Sequence, residues 1–252
     1  MSSYARRFTV LAFLALPLLA GCGGSNPYQG MEPEELYLLG KQKYDEGEWD
    51  DAIRPLDRLI LGFGNSELVP AARLLMAHAY YAKRDYLTAR SEYQRFLDRF
   101  PGNPEAPMAA LGICRSLGAL SPKAQRDQTY TNEAITVCRN VVVDWSGTPQ
   151  AQEAAGLAND LRLKLAEKEY LNADFYFRRE LWDSAIKYFE FVVQLYPETA
   201  WAPQALLGIY RSNKAIGYDD LADEARERLL AEYPDSPAAA EVRVDGAGTP
   251  GA

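Results

Sequence analysis

Residues 173–197 read ADFYFRRELWDSAIKYFEFVVQLYP and contain the pattern from which the fold can be predicted. Its two small residues, Ala173 and Ala185, are twelve positions apart, and Trp182 opens the segment that contains the second. Apolar residues follow Ala185 at four, seven and eight positions, which is the spacing of one face of an amphipathic helix. Pro197 then ends the helical pattern. The stretch predicts two paired helices closed by a proline.

The same arrangement recurs along the chain. Residues 49–60, 86–101 and 218–234 each contain an aromatic residue, an alanine shortly after it and an apolar helical face. Gly40 and Ala77 supply the small residue twelve positions before two of these alanines. The offsets match the tetratricopeptide repeat, a unit of about 34 residues that folds as helix–turn–helix. The repetition predicts stacked helix pairs.

Two irregular regions interrupt the array. A weaker unit lies between residues 105 and 146, and residues 121–130 form an inserted loop between its helices. Residues 150–171 have a continuous helical pattern that contains no proline. We expect this second region to be one long helix that joins two groups of repeats.

The chain as a whole predicts an all-α fold, because no run of residues alternates as a strand does. We expect a right-handed α-solenoid of about five irregular tetratricopeptide repeats over residues 31–238. Residues 239–252 are rich in glycine and proline near their end and are expected to be a disordered tail. A generic helical bundle with accidental alanines is the alternative.

The N-terminus carries the pattern of a secretion signal. Arg6 and Arg7 precede an apolar run over residues 8–19, which is too short to span a bilayer as a helix. Residues 19–22 read LAGC and resemble the lipobox of bacterial lipoprotein precursors, in which the cysteine is acylated. We predict lipidation of Cys22. An ordinary signal peptide with an incidental cysteine is the alternative.

These features predict the cellular location. Residues 1–21 are the predicted signal peptide, and residues 22–30 are the predicted lipidated, flexible tether. Inner-membrane lipoproteins often carry aspartate beside the acylated cysteine, whereas this chain has Gly23. The resemblance therefore favours the periplasmic face of the outer membrane, with the lipid as the only membrane attachment.

Composition excludes several function classes. The net charge of −8 argues against nucleic-acid binding. Because His78 is the single histidine, a catalytic triad would have to be built around it, and so would a multi-histidine metal site. Gly-rich phosphate loops, Gly-x-Ser-x-Gly and His-Glu-x-x-His are also missing from the sequence. We therefore predict a protein that is not an enzyme and that uses no cofactor or metal.

Two cysteines follow the predicted anchor. Cys114 and Cys138 lie in the two helices of the weaker unit. An oxidising periplasm permits a disulfide between them. Their positions do not guarantee the Cα spacing that a disulfide needs, so we expect buried free thiols.

A short motif joins these features into a family resemblance. Arg126, Asp127 and Gln128 precede the second helix of the weaker unit, where Asp127 is well placed to cap that helix. With the lipobox and the five repeats, the chain over residues 34–237 resembles the BamD family of outer-membrane assembly lipoproteins. Its members carry a similar Arg-Asp-Gln or Arg-Asp-Pro in the same loop.

The resemblance implies a function. Family members act as periplasmic scaffolds of the β-barrel assembly (BAM) complex, together with accessory lipoproteins. Their C-terminal repeats bind the periplasmic domains of the central barrel subunit, and their N-terminal repeats meet unfolded outer-membrane proteins. Another repeat-containing envelope adaptor, of cell-wall or Tol–Pal systems, is the alternative function. A lipoprotein enzyme is a remote one.

The first helix of each repeat unit lines the concave face of such a solenoid. The predicted groove residues are Tyr37, Lys41, Tyr44 and Asp45 of unit one, Leu74, His78, Tyr81 and Ala82 of unit two, Ala109, Ile113, Ser116 and Leu117 of unit three, and Tyr170, Asp174, Phe177 and Arg178 of unit four. Aromatic side chains at helical steps suit an extended, aromatic-rich segment such as an unfolded barrel strand. Packing of these aromatics between neighbouring repeats is the alternative.

Overall fold

Helix follows helix throughout the computed structural model, which describes residues 27–247. The helices are α1 (Pro33–Asp45), α2 (Trp49–Gly62), α3 (Val69–Ala82), α4 (Tyr86–Arg99), α5 (Ala106–Leu120), α6 (Thr129–Asp144), α7 (Pro149–Phe177), α8 (Trp182–Leu195), α9 (Trp201–Ile216), α10 (Asp219–Glu232) and α11 (Pro237–Ala247). No strand occurs between residues 27 and 247, so the predicted all-α fold is confirmed. The predicted signal peptide and Cys22 lie outside the described residues.

The helices pair in chain order. The five pairs α1/α2, α3/α4, α5/α6, α7/α8 and α9/α10 are here called units one to five, and α11 packs against unit five. Each second helix also contacts the first helix of the next unit, so neighbouring units share cores. The described part of the chain is therefore the repeat array that the sequence predicts.

Small residues at the helix crossings explain the pairing. The alanine that marks each unit is fully buried in all five cases: Ala52, Ala89, Ala134, Ala185 and Ala222. A Cβ added to Gly40 would lie 2.6 Å from the Leu56 side chain, which leaves no room for a larger residue. Close approach of the two helices therefore depends on these residue types.

Helix α7 is the predicted long helix and runs over 29 residues. Thr148 caps its first turn by accepting a hydrogen bond from the N–H of Ala151. The N-terminal half packs on α6, where Ala154 and Ala158 share a core with Cys138. The C-terminal half pairs with α8. The extra turns at the start of α7 thus carry the contact with unit three.

Unit three contains a covalent link. Cys114 and Cys138 form a disulfide with their Cα atoms 5.0 Å apart, so the prediction of free thiols is wrong. Helices α5 and α6 approach closely enough for the ordinary Cα spacing of a disulfide. Both cysteines are fully buried.

The C-terminal segment is also more ordered than predicted. Helix α11 covers residues 237–247, so the prediction of a disordered tail is wrong up to residue 247. Pro237 suits a first helical turn, and Val242 is fully buried in the core of units four and five. Residues 248–252 lie outside the described part of the chain.

No helix within residues 27–247 combines the length and the apolar character needed to cross a membrane.

Candidate functional site

A groove opens where the first helices of three consecutive units meet. It has a volume of about 600 Å³. Its lining residues are Tyr81 of α3, Arg115, Gly118 and Ala119 of α5, and Glu153, Gly156, Leu157 and Asp160 of α7. The groove therefore lies on the first helices of units two to four, as the repeat pattern predicts for a binding face.

The groove combines a small-residue floor with a charged wall. The Arg115 guanidinium donates two hydrogen bonds to the Glu153 carboxylate, at 2.5 and 2.6 Å. These hydrogen bonds raise the pKa of Arg115 above its ordinary value. A Cβ added to Gly156 would meet no atom within 4 Å, so this part of the groove is open. The arrangement offers space for a peptide segment beside a fixed ion pair.

Three predicted groove aromatics pack against an aromatic residue of the second helix in their own unit. The pairs are Tyr44–Trp49, Tyr81–Tyr86 and Phe177–Trp182, with ring centroids 5.1, 5.3 and 5.2 Å apart in edge-to-face geometry. All three predicted residues are half-buried. One side of each ring therefore packs against the protein, as the alternative to a groove role proposed. The other side of each ring stays accessible.

In unit two, two predicted residues take part in packing. Leu74 is 8% exposed and packs in the core shared with unit three, so its placement in the groove is wrong. The His78 ring nitrogen Nδ1 lies 2.6 Å from the Tyr93 hydroxyl. Burial, with a contribution from nearby Arg115, lowers the pKa of His78 to about 4. This histidine is therefore neutral at neutral pH and serves packing. Ala82, the unit's remaining predicted residue, is half-buried.

The groove prediction for unit three is wrong, because it selects the buried side of α5 in place of the side that faces the groove. Ala109, Ile113, Ser116 and Leu117 are all buried. Ile113 and Leu117 share a core with Leu161 and Leu165, because the middle of α7 covers that side of α5. Arg115 and its neighbours in the groove therefore take the surface positions.

The other predicted residues of units one and four divide between surface and core. Lys41 pairs with Asp45 at 2.6 Å and Arg178 with Asp174 at 2.8 Å, each across one helical turn at the surface. Two tyrosines pack inward: Tyr37 joins the core of units one and two, and Tyr170 contacts Phe189 and Trp201. Tyr37 and Tyr170 thus hold repeats together.

The Arg126-Asp127-Gln128 motif lies in the inserted loop, which spans residues 121–128. The Asp127 carboxylate accepts the N–H of Thr129 at 3.0 Å, as the capping prediction requires. Hydrogen bonding by the Thr129 side chain, together with this backbone bond, lowers the pKa of Asp127. Gln128 is only 5% exposed. Its amide donates to the carbonyls of three loop residues, Lys123, Ala124 and Arg126. The structural role of Gln128 was not predicted.

A second surface, here called the aromatic face, was not predicted from the sequence. It consists of Leu171, Asn172, Phe175 and Tyr176 of α7 and Tyr188 and Phe191 of α8. Phe175 is 45% and Phe191 38% exposed, and the rings of Tyr176 and Tyr188 stack with centroids 5.0 Å apart. A cavity of about 490 Å³ lies between the α7 side of this face and Gln125 of the inserted loop.

Comparison with known proteins gives consistent matches. A family model described as "YfiO: Outer membrane lipoprotein" matches residues 29–229. The outer membrane protein assembly factor BamD of Caulobacter vibrioides is 27% identical over 233 residues, covering 90% of this chain and 76% of that protein. BamD of Pasteurella multocida is 25% identical over 228 residues, covering 86% and 87%.

Solved repeat structures resemble the chain more distantly. The TPR2AB domain of yeast Sti1, in its pHSP90 complex, is 14% identical with a TM-score of 0.45, covering 85% of this chain and 84% of that one. A tetratricopeptide repeat protein from Parabacteroides merdae is 17% identical with a TM-score of 0.39, covering 84% and 71%.

Proposed function

The chain belongs to the YfiO family of outer membrane lipoproteins, and we propose that it is a periplasmic scaffold of the BAM complex. Similarity to assembly factors named BamD over most of the chain supports this role. In the proposal, acyl chains on Cys22 hold the protein at the periplasmic face of the outer membrane. The protein acts by binding rather than by catalysis.

The groove carries the proposal for substrate binding. Three first helices contribute to it, and its floor of glycine and alanine leaves room for a second chain. Tyr81 supplies an aromatic wall beside the Arg115–Glu153 ion pair. Unfolded outer-membrane proteins, which are rich in aromatic residues, would lie here. The C-terminal repeats would hold the periplasmic domains of the central barrel subunit, alongside accessory lipoproteins.

Gly156 offers a clean test of the groove. Gly156→Phe fills the open space without entering the core, because no atom lies within 4 Å of the added Cβ. Gly156→Ala is the matched control, since its methyl group leaves the groove open. We expect photo-crosslinking of an unfolded barrel protein to fall at least about fivefold in Gly156→Phe, the effect of losing roughly 1 kcal/mol of binding.

The control should crosslink as the wild type does. Equal crosslinking by Gly156→Phe and Gly156→Ala would mean that unfolded chains bind elsewhere, and the groove proposal would be wrong.

Two further measurements address location and complex membership. Intact mass of the membrane-extracted protein should show a chain that begins at Cys22 and carries acyl groups. A gentle-detergent pull-down should recover an outer-membrane barrel that has periplasmic domains. Recovery of cell-wall synthases or Tol–Pal proteins in place of that barrel would favour the alternative adaptor function.

A further inference from the structure

The disulfide of unit three lies in a core that separates it from solvent. Cys114 and Cys138 are both 0% exposed. A disulfide forms or breaks when a thiolate attacks a sulfur atom and a mixed disulfide results. The attacking group must therefore reach one of the two sulfur atoms, and the folded protein gives it no access. The bond is consequently neither made nor broken while the chain stays fully folded.

Helices on both sides of unit three surround the cysteine pair. Ala154 and Ala158 of α7 belong to the same buried cluster as the cysteines, and Leu157 packs against that cluster. Leu97 of α4 packs against it from the preceding unit. Of these two helices, only α7 follows both cysteines in the sequence. The larger part of the cover is therefore added by a segment that comes after the cysteines.

Several contacts hold α7 against α5. A Cβ added to Gly118 would lie 3.2 Å from the Leu157 side chain, so the two helices approach closely. Leu161 continues this contact in the core shared with unit two. The Arg115–Glu153 ion pair joins the same two helices at the surface. Exposure of the disulfide requires the loss of these contacts together, so it is confined to molecules whose α7 has detached.

The cysteines can meet before α7 is in place. Helices α5 and α6 pack directly on each other, and Ala110, Leu111 and Val141 supply the apolar contacts around the cysteine pair from these two helices alone. The cysteines are separated by only 24 residues, so the chain segment between them closes at a modest entropic cost. A helix pair without α7 thus has accessible thiols that are already near each other.

We propose that Cys114 and Cys138 are the modification site of a disulfide-donating thiol oxidoreductase, which joins them before α7 packs onto unit three. One cysteine thiolate attacks the donor disulfide, which forms a mixed disulfide and releases one donor thiol. The second cysteine thiolate attacks the sulfur of the first, forms the Cys114–Cys138 bond and releases the other donor thiol. Two electrons and two protons pass from the cysteine pair to the donor. Packing of α7 then covers the bond.

The order of these events makes the bond a permanent part of the finished protein. A disulfide that oxidants and reductants cannot reach does not respond to the redox state of its surroundings. No step of this modification depends on the proposed scaffold function.

The first test compares the oxidation of folded and unfolded protein. The full mature protein is reduced in urea, and one portion is refolded with the reductant present. Both portions are then moved into glutathione disulfide, and alkylation with mass analysis follows the loss of free thiol at Cys114 and Cys138. We expect the folded portion to react at least about thirtyfold more slowly, because only rarely opened molecules expose the thiols. A smaller difference would overturn the proposed order.

The second test asks whether α7 controls access to the thiols. Ala158→Glu places a carboxylate in the buried cluster that contains the cysteines, whereas Asn159→Glu places the same side chain on the exposed surface of α7. The folded, reduced Ala158→Glu variant should react with glutathione disulfide at least about tenfold faster than the folded, reduced wild type. The Asn159→Glu control should react like the wild type. A smaller acceleration in Ala158→Glu would overturn the role of α7 as the cover.

A measurement on the wild type keeps this test decisive if circular dichroism shows that Ala158→Glu is unfolded. Thiol reactivity of the folded, reduced protein gives the fraction of molecules in which the cysteines are open, and hydrogen exchange gives the open fraction for the first half of α7. The two fractions should agree within about threefold. Thiols that open more often than α7 does would overturn its role.

The finished bond should resist reduction for the same reason. Dithiothreitol should cleave the Cys114–Cys138 bond of the native, oxidised protein at least about thirtyfold more slowly than the same bond in urea. Cleavage of the native bond at a rate closer to that in urea would show that the sulfur atoms are accessible after folding. In that case the bond could form at any stage, and the proposed order would be wrong.

Discussion

Reduction of the Cys114–Cys138 disulfide should destabilise the protein at the centre of its repeat array. The bond joins α5 to α6 across a sequence separation of 24 residues. The inserted loop, residues 121–128, lies inside the closed segment. This segment gains the most conformational freedom when the chain unfolds without the bond. Unit three also contacts units on both sides, so its loss uncouples the two halves of the array.

The expected magnitude follows from the length of that segment. Closing a loop of 24 residues removes unfolded-state entropy worth about 3.5 kcal/mol at 25 °C. The reduced thiols of the folded protein would stay in the same buried positions, so packing changes little. We therefore expect the free energy of unfolding to fall by about 3 kcal/mol on reduction.

Urea unfolding of the oxidised and the dithiothreitol-reduced protein measures this difference, and hydrogen exchange locates it. Faster exchange should be concentrated in α5, α6 and the N-terminal half of α7. A variant with Cys114→Ala and Cys138→Ala is the control, because its stability should not respond to the reductant. A difference below about 1 kcal/mol, or faster exchange confined to units one and five, would refute the reasoning.

Three other substitutions, one of them with an exposed control, test packing inside the repeats by urea unfolding. Because the folded-state pKa of His78, about 4, is below the ordinary 6.5, the unfolded chain binds a proton first as pH falls. The wild-type protein should lose about 2 kcal/mol of its free energy of unfolding between pH 7 and pH 5. The His78→Gln variant should not show this loss. Gly208→Ala should lower the free energy of unfolding by about 2 kcal/mol, because the added Cβ would lie 2.5 Å from a buried phenylalanine ring. Its control, Gly156→Ala, should raise the free energy of unfolding by up to about 1 kcal/mol. Glu92→Gln should lower the free energy of unfolding by about 3 kcal/mol, because it leaves the Arg73 guanidinium without its carboxylate partner.

Helix pairing could be predicted from the sequence because it depends on local spacing. The marker alanines and the helical apolar faces recur at distances that one unit determines by itself. Trp182 and Ala185 therefore identify their helix without knowledge of any other unit. The long helix was predictable for the same reason, since residues 150–171 lack proline over a continuous helical pattern.

Features that depend on contacts between units were not predictable in this way. Whether Cys114 and Cys138 can bond depends on the distance between α5 and α6, which spacing along the chain does not state. The groove register of unit three was wrong because α7 covers one side of α5. Only one feature of the sequence could have indicated the aromatic face. Unit four carries Phe175 and Tyr188 at the positions where unit two carries Ala79 and Glu92.

Helix α7 contributes to both the groove and the aromatic face. Glu153 and Gly156 in its first turns border the groove, and Phe175 near its end belongs to the aromatic face. At about 1.5 Å per residue, Gly156 and Phe175 are separated by roughly 30 Å along the helix axis. A continuous helix that is packed on both halves resists bending. In the proposed function, an unfolded chain in the groove and a partner on the C-terminal repeats are therefore held at a constant separation. The length of α7 thus sets the distance between the aromatic face and the groove.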